Sequence, residues 1–538
     1  MKTIEKVLVV TLIALMVLPS IQKVKPFISL KKLEGDFAAT EKPAFNFQNW
    51  MSGDFQNKFD KYTEENIGFR NFLVRLVNQI DFSLFRATNA EGVVAGKNDC
   101  LFEYDYIRQF NGTDFVGDEI IDVKIRKLKF LQQYLKQEKN IDLVLIFEPG
   151  KTTYYADDIP AKYLRDENPQ TNYKLLVQKA KDISLRHIDL NAWFKKLIDK
   201  TEYPLFPKYG IHWSTYGMSI VADSLLRYIE DLRQIDLPDV YIDSLKVTST
   251  PEKADYDIAS TLNLLCHLPK VENLAYPVYR FEENQHKVRP NVLAIADSYY
   301  WNIYNTLIPE KVFRDHSFWY FYNKVYPDSY NAETNTKNLN LKEEIEKRDV
   351  ILLMVTERFL HKLGWGFIED AYAIYAPLSR IDTLHKLKCD ILNYYVWFSS
   401  EIERARIRNI SLAEDIRLNA EYMYSQSDLN GLLMLKGASF FESQIRNDPK
   451  WLKLVKQKAT TQGVVLHEII RQDAEYMFQT YHKETLDNYQ RLQGIKDSIL
   501  QDSALYSKTT LLSGRYYLTL EEAVQLQAER LFEHKEPL

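Results

Sequence analysis

Ser298 stands where a nucleophile would. The apolar run Val292 to Ala296 reads as a buried strand, Asp297-Ser298 as the turn that ends it, and Tyr299 to Leu307 as a helix. A serine on such a turn exposes its hydroxyl at a sheet edge. Its own N–H sits at a helix N-terminus, where a developing oxyanion is stabilised. The same position equally suits a helix N-cap. A serine nucleophile needs a base. Of the ten histidines, His212 has the most site-like setting. It lies in Tyr209-Gly210-Ile211-His212-Trp213-Ser214-Thr215-Tyr216-Gly217, after a loop bounded by Pro204 and Pro207 and before a helix predicted from about Met218 to Leu232. A half-buried structural histidine fits that setting as well. Tyr299, Tyr300 and Trp301 are candidates to stack on sugar rings, or they begin a helix in the core.

These residues require an α/β framework. From 120 to 375, helical stretches alternate with short apolar runs: Ile141 to Phe147, Ile188 to Leu190, Val292 to Ala296 and Val350 to Val355. Continuous β-branched and Leu runs suit parallel strands covered on both faces. Function then sits past the carboxyl ends of the strands. The residues there are Glu148-Pro149-Gly150-Lys151, Asp297-Ser298 and Thr356-Glu357-Arg358. Lys151 and Arg358 are candidates to hold an acidic polysaccharide or to form structural ion pairs. Upstream, residues 26–90 read as a linker and then helices, and Val93 to Phe102 as a hairpin turning at Gly96-Lys97-Asn98-Asp99.

The two ends of the chain have different characters. Lys2 and Lys6 precede an apolar run from Val7 to Ile21, short for a spanning helix and right for a signal-peptide core. Pro19-Ser20-Ile21 is a poor cleavage site, so residues 1–25 are expected to be an uncleaved signal anchor rather than a cleaved signal peptide. The last third is helical and repeats itself. Segments beginning at Ser411, Val465 and Thr519 match at a spacing of 54 residues, and Ile391, Ile445 and Ile499 keep the same offset. Three helical units of that size are expected over 385–538, stacked neighbour on neighbour. The charge balance, 69 Lys and Arg against 74 Asp and Glu, argues against a nucleic-acid partner. Cys100, Cys266 and Cys389 are too far apart for a CxxC zinc site or a disulfide framework. No metal or cofactor is expected. The 35 tyrosines are compatible with sugar stacking.

The order of motifs resembles the alginate O-acetyltransferase family, the AlgJ/AlgX-like group of SGNH-hydrolase-type domains. The motifs are Gly68-Phe69-Arg70, Gly96-Lys97 with Leu101-Phe102, Phe147-Glu148-Pro149-Gly150-Lys151, His212-Trp213-Ser214 with Gly217, Asp297-Ser298, and Glu357-Arg358. They span roughly residues 45–375, with the His motif before the Ser motif as in that family. The resemblance implies an SGNH-like parallel sheet flanked by helices over 91–380, followed by the all-α repeats.

Two positions depart from the family pattern. Gly210 stands where the family's Asp-x-His-Trp has aspartate, and Ala296 stands where glycine precedes the serine by two. The aspartate would orient the imidazole. Asp189, ending a short strand candidate, is one substitute; a Ser298–His212 dyad is the other outcome. The resemblance implies an exported polysaccharide O-acetyltransferase with catalytic Ser298 and His212, and Asp189 is the candidate third catalytic residue. Lys151, Trp213, Tyr299, Trp301 and Arg358 are its candidate substrate contacts. It also implies a membrane-bound acyl-transfer partner and a place in the cell envelope, periplasmic and held to the inner membrane by residues 7–21. An acetyl esterase and a non-catalytic glycan-binding scaffold are the competing readings, and the repeats call for a protein partner of their own.

Overall fold

The computed structural model describes residues 2–35, 40–165, 169–271, 273–282 and 286–534. Its centre is a six-stranded sheet. Among the described residues the strands are, in chain order, β1 (Val93–Ala95), β2 (Leu101–Glu103), β3 (Asp142–Glu148), β4 (His187–Asp189), β5 (Val240–Thr248), β6 (Leu274–Phe281), β7 (Asn291–Ala296), β8 (Asp315–Tyr320), β9 (Lys324–Tyr326) and β10 (Val350–Thr356). The central sheet runs β4-β3-β10-β7-β8-β9, parallel except for β9, which turns back against β8 at the edge. The four strands expected from apolar runs are therefore present. β8 is one that apolar runs do not show, because Asp315-His316-Ser317 opens it with polar residues.

Alternation along the buried strands divides the core in two. Leu143, Leu145, Phe147, Leu293, Ile295, Ile351, Leu353 and Val355 face one side; Val144, Ile146, Ala294, Ala296, Leu352 and Met354 face the other. The second face packs against the Thr215–Arg233 helix and the loop that carries His212. The first packs against the Asp118–Lys139 and Phe367–Tyr375 helices, and that cluster continues without a break into Ile416, Ile445, Ile470 and Leu512 of the helical region. Leu353 is fully buried at its centre, so Leu353→Ala should cost about 2–5 kcal/mol, read as a lowered urea midpoint.

The helical region keeps strict time. Its middle helices are Tyr395–Arg408, Pro449–Gln462 and Ser503–Tyr516, and the helices after them start at Leu412, Leu466 and Leu520. Each middle helix ends on a left-handed residue: Asn409, Gly463 or Tyr517. The third unit does not extend away but returns to the α/β core. Arg126 forks onto both carboxylate oxygens of Glu522 at 2.6 and 2.8 Å and donates to the Tyr517 carbonyl. Because the core on that side runs on without a break into the repeats, a chain ending at residue 384 should be insoluble or lack cooperative unfolding. A truncated chain melting as sharply as the full one would show that the repeats are a separate appendage.

At the other end, the helix is longer than the apolar run suggests. It spans Lys2–Val24 and continues through Pro19; Ile4–Val24, 21 residues of mean hydropathy 2.2, is long and apolar enough to cross a membrane. Its last turn is tied to the body. The Gln22 side chain accepts N–H bonds from Phe27 and Ile28, and Lys23 bonds Asn66 at 3.0 Å. Gly68 lies so near that a Cβ there would sit 2.0 Å from the Pro19 carbonyl oxygen.

Candidate active site

Ser298 follows β7 at the carboxyl edge of the sheet and is half-buried. Asp297 holds its turn. Fully buried, Asp297 accepts the Tyr299 N–H at 3.0 Å and, from the end of β10, the Thr356 N–H and hydroxyl at 2.9 and 2.8 Å. Burial pushes the Asp297 carboxyl up in pKa even so. Glu148, ending β3 beside it, is pushed well above its ordinary value by burial and then by the Asp297 charge. The helix after Ser298 is shorter than expected, Tyr300–Tyr304, and a second short helix follows at Ile308–Val312.

The Ser298 hydroxyl lies 2.9 Å from His212 Nε2. On the other side of the ring, His212 Nδ1 lies 2.7 Å from Asp257 Oδ2. Asp257 opens the short helix Asp257–Thr261, and its Oδ1 accepts the N–H groups of Ile211 and Ile258 at 2.9 and 2.6 Å. One carboxylate thus fixes both the imidazole and the backbone beside it. With Nδ1–H donated to Asp257, Nε2 is free to take the Ser298 proton.

Asp257 replaces the expected Asp189. Asp189 caps the Leu190–Leu197 helix by accepting the Ala192 N–H at 2.9 Å, and it accepts the Tyr173 hydroxyl at 2.9 Å. Gly210 explains the shift. A Cβ at that position would lie 2.3 Å from the Ala254 carbonyl oxygen, so the loop carrying Asp257 occupies the space an aspartate side chain would need. The sequence does carry a signal, the pair Asp255 and Asp257 just before an apolar turn, but nothing local marks it as the partner of a histidine 45 residues upstream.

The expected substrate contacts are mostly framework. Lys151 is completely buried; its ammonium donates to the Lys208 and Gly210 carbonyls at 2.8 and 2.6 Å and so ties the His212 loop to the end of β3. Burial lowers its pKa. Tyr299 is buried, its hydroxyl donates to the Ile211 carbonyl at 2.8 Å, and its ring meets His212 edge-on at 4.9 Å. Trp213 is fully buried against Tyr299 and Phe194. Trp301 is packed among Phe318, Tyr320 and Tyr326. Arg358 is ion-paired with Glu103 and Asp105. Lys151, Trp213 and Tyr299 are thus buried, while Trp301 and Arg358 are half-buried.

Gly150 leaves room for a further buried acid: a Cβ there would sit 2.1 Å from Glu357 Oε2. Glu357 accepts hydrogen bonds from Gln109 and Thr153, yet burial pushes it up to about 7. Its folded form keeps a proton that the unfolded chain releases from about pH 4.5, so its contribution is present at low pH and lost as pH rises towards 7. Glu357→Gln should therefore flatten the fall in stability between pH 5 and 8, by at most about 3 kcal/mol, measured by urea unfolding at the two pH values.

One cluster of metal-ligand type occurs among the described residues: Glu369, His385 and Cys389, all buried. Lys124 already supplies the positive charge there, 3.0 Å from Glu369 Oε1.

A serine, histidine and aspartate joined at the carboxyl edge of a mostly parallel, helix-flanked sheet define an SGNH hydrolase-like α/β domain. Residues 93–286 match the family model described as "SGNH hydrolase-like domain, acetyltransferase AlgX", which agrees with the resemblance drawn from the motif order. The matched stretch contains His212 and Asp257 and ends before Ser298. No curated protein matches the chain. Similar solved structures include the O-acetyltransferase domain of Pseudomonas putida AlgJ, at 19% identity over 50% of this chain and 92% of that one, TM-score 0.34. Pseudomonas aeruginosa AlgX is 15% identical over 49% and 55%, TM-score 0.28. Bacillus cereus PatB1 with a sulfonyl adduct is 14% identical over 50% and 97%, TM-score 0.32.

Proposed function

We propose that the protein is an exported polysaccharide O-acetyltransferase working through an acetyl-Ser298 intermediate. The observation that carries this reading is the unbroken hydrogen-bond chain Ser298 Oγ, His212, Asp257. His212 Nε2 takes the hydroxyl proton as Ser298 Oγ attacks the acetyl carbonyl of a donor ester. The Ser298 N–H is the first candidate donor to the oxyanion. The proton then passes from His212 to the departing oxygen, leaving acetyl-Ser298. A sugar hydroxyl next gives its proton to His212 and attacks the acetyl group; the tetrahedral intermediate collapses, and the proton returns to Ser298. Asp257 stabilises the imidazolium in both halves.

Water in place of the sugar hydroxyl would make the protein an acetyl esterase. Asp257 within hydrogen-bond reach of His212 supports catalysis over a non-catalytic scaffold. Export and anchoring are supported by the long apolar helix at Ile4–Val24, and a membrane-bound acyl-transfer partner would supply the donor. The test is to give the detergent-solubilised full chain an activated acetyl ester, with and without a polysaccharide acceptor. Acetylated polysaccharide is expected. Acetate as the sole product, at a rate indifferent to acceptor, would leave the esterase reading instead.

A further inference from the structure

A cleft of about 840 Å³ opens between the α/β domain and the first helical unit. That volume is within the range of about 300–1,000 Å³ usual for ligand sites. Aromatic rings line it from both sides. Phe321 and Tyr322 come from the β8–β9 turn, Phe359 and Trp365 from the segment after β10, and Tyr394 and Trp397 from the first helical unit. Tyr394 and Trp397 keep 54% and 43% of their surface in solvent although their rings lie only 5.0 Å apart, a large apolar area left uncovered at the mouth.

Tight turns present three of these rings. Phe321, Tyr322 and Trp365 have φ of 53°, 51° and 50°, the left-handed region that bulky residues avoid. Phe321 and Tyr322 are the two central residues of the tight β8–β9 turn, in which the Asn323 N–H bonds the Tyr320 carbonyl and both φ are positive, and Trp365 lies in the turn closed by the Phe367 N–H on the Gly364 carbonyl. Between the rings stand hydrogen-bonding groups: Asn323, the Lys386–Asp370 pair at 2.7 Å, Asp390, and Lys362, whose pKa burial lowers to about 8. Ring faces interleaved with carboxylates, ammonium groups and amides match the apolar faces and equatorial hydroxyls of pyranose rings.

One wall of the cleft adjoins the strand that ends at the site. The ring of Phe321 lies 4.3 Å from that of Tyr320 and 5.2 Å from that of Phe359. Tyr320 pairs with Ala296, two residues before Ser298, and the Phe321 N–H bonds the Ala296 carbonyl. We propose that this cleft binds a pyranose chain and feeds it towards Ser298 as the acetyl acceptor. The acceptor role rests on the acetyl-transfer reading; the binding of sugar does not.

The test uses the full chain carrying Ser298→Ala in detergent, titrated by calorimetry with a β-1,4-linked glucose hexamer and a β-1,4-linked uronate hexamer. At least one hexamer should bind, and Tyr394→Ala with Trp397→Ala should weaken it about tenfold or more, the loss expected of a stacked aromatic anchor. Tyr481→Ala, an exposed aromatic elsewhere on the repeats, should leave the affinity unchanged. A preference for the uronate would assign the lysines to charge recognition; equal binding would assign recognition to ring faces alone. Failure of both hexamers to bind, or binding unaffected by the double substitution, would overturn the proposal. Wild-type protein inert towards an activated acetyl ester would defeat the acceptor role separately, and the titrations would still decide whether the cleft holds sugar.

Discussion

Ser298→Ala should lower turnover of an activated acetyl ester by about 10⁴–10⁶, to the rate supported by binding and oxyanion donors alone. His212→Ala should cost nearly as much, and the double variant little more than either. The reason is that the two groups act as one unit: without Ser298 there is nothing for His212 to deprotonate, and without His212 the hydroxyl at 2.9 Å keeps its proton. Steady-state rates of the three variants check this. Losses that multiply in the double variant would mean that the two residues act independently, which a shared proton transfer does not allow. Neither substitution removes a core contact of the sheet, so the melting temperatures should stay close to wild type.

The second large effect belongs to Asp257. Asp257→Asn preserves the size of the side chain and can turn its amide towards His212, which holds the imidazole in the wrong tautomer; kcat should fall about 10³–10⁴-fold. Asp257→Ala should also loosen the loop, because the Ile211 N–H loses its acceptor. The comparison that matters is with Asp189. Asp189→Ala removes a helix cap at a cost of about 1 kcal/mol in stability and should leave kcat unchanged. A large loss of kcat in Asp189→Ala, with Asp257→Asn near wild type, would reverse the assignment of the orienting carboxylate.

That pair of residues also shows where the sequence stops being legible. Ser298 and His212 each sit inside a local pattern, a strand-to-turn junction and a Trp-flanked loop, and local patterns survive without a structure. Asp257 works only because the backbone at Ala254 fills the space beside Gly210, a close approach between loops that no spacing announces. The aromatic residues near the nucleophile mislead for a related reason. Tyr299 and Trp213 have the composition of a sugar platform, and only their burial shows that they wedge the His212 loop in place. Trp397 and Tyr394, unremarked as sugar contacts in the sequence, hold the exposed faces instead. The 54-residue period was plain because helix pairs repeat their own chemistry. The return of the third unit onto Arg126 was not, since an ion pair across some 400 positions leaves no periodic trace.

The most direct test of the account is to trap the intermediate. The detergent-solubilised full chain is mixed with an isotope-labelled acetyl ester, quenched in acid and mapped by peptide mass spectrometry. The account predicts one labelled acetyl group on the peptide that contains Ser298, absent from Ser298→Ala and discharged when a polysaccharide acceptor is added before the quench. Turnover with no label on Ser298, or label on another residue that persists in Ser298→Ala, would contradict it.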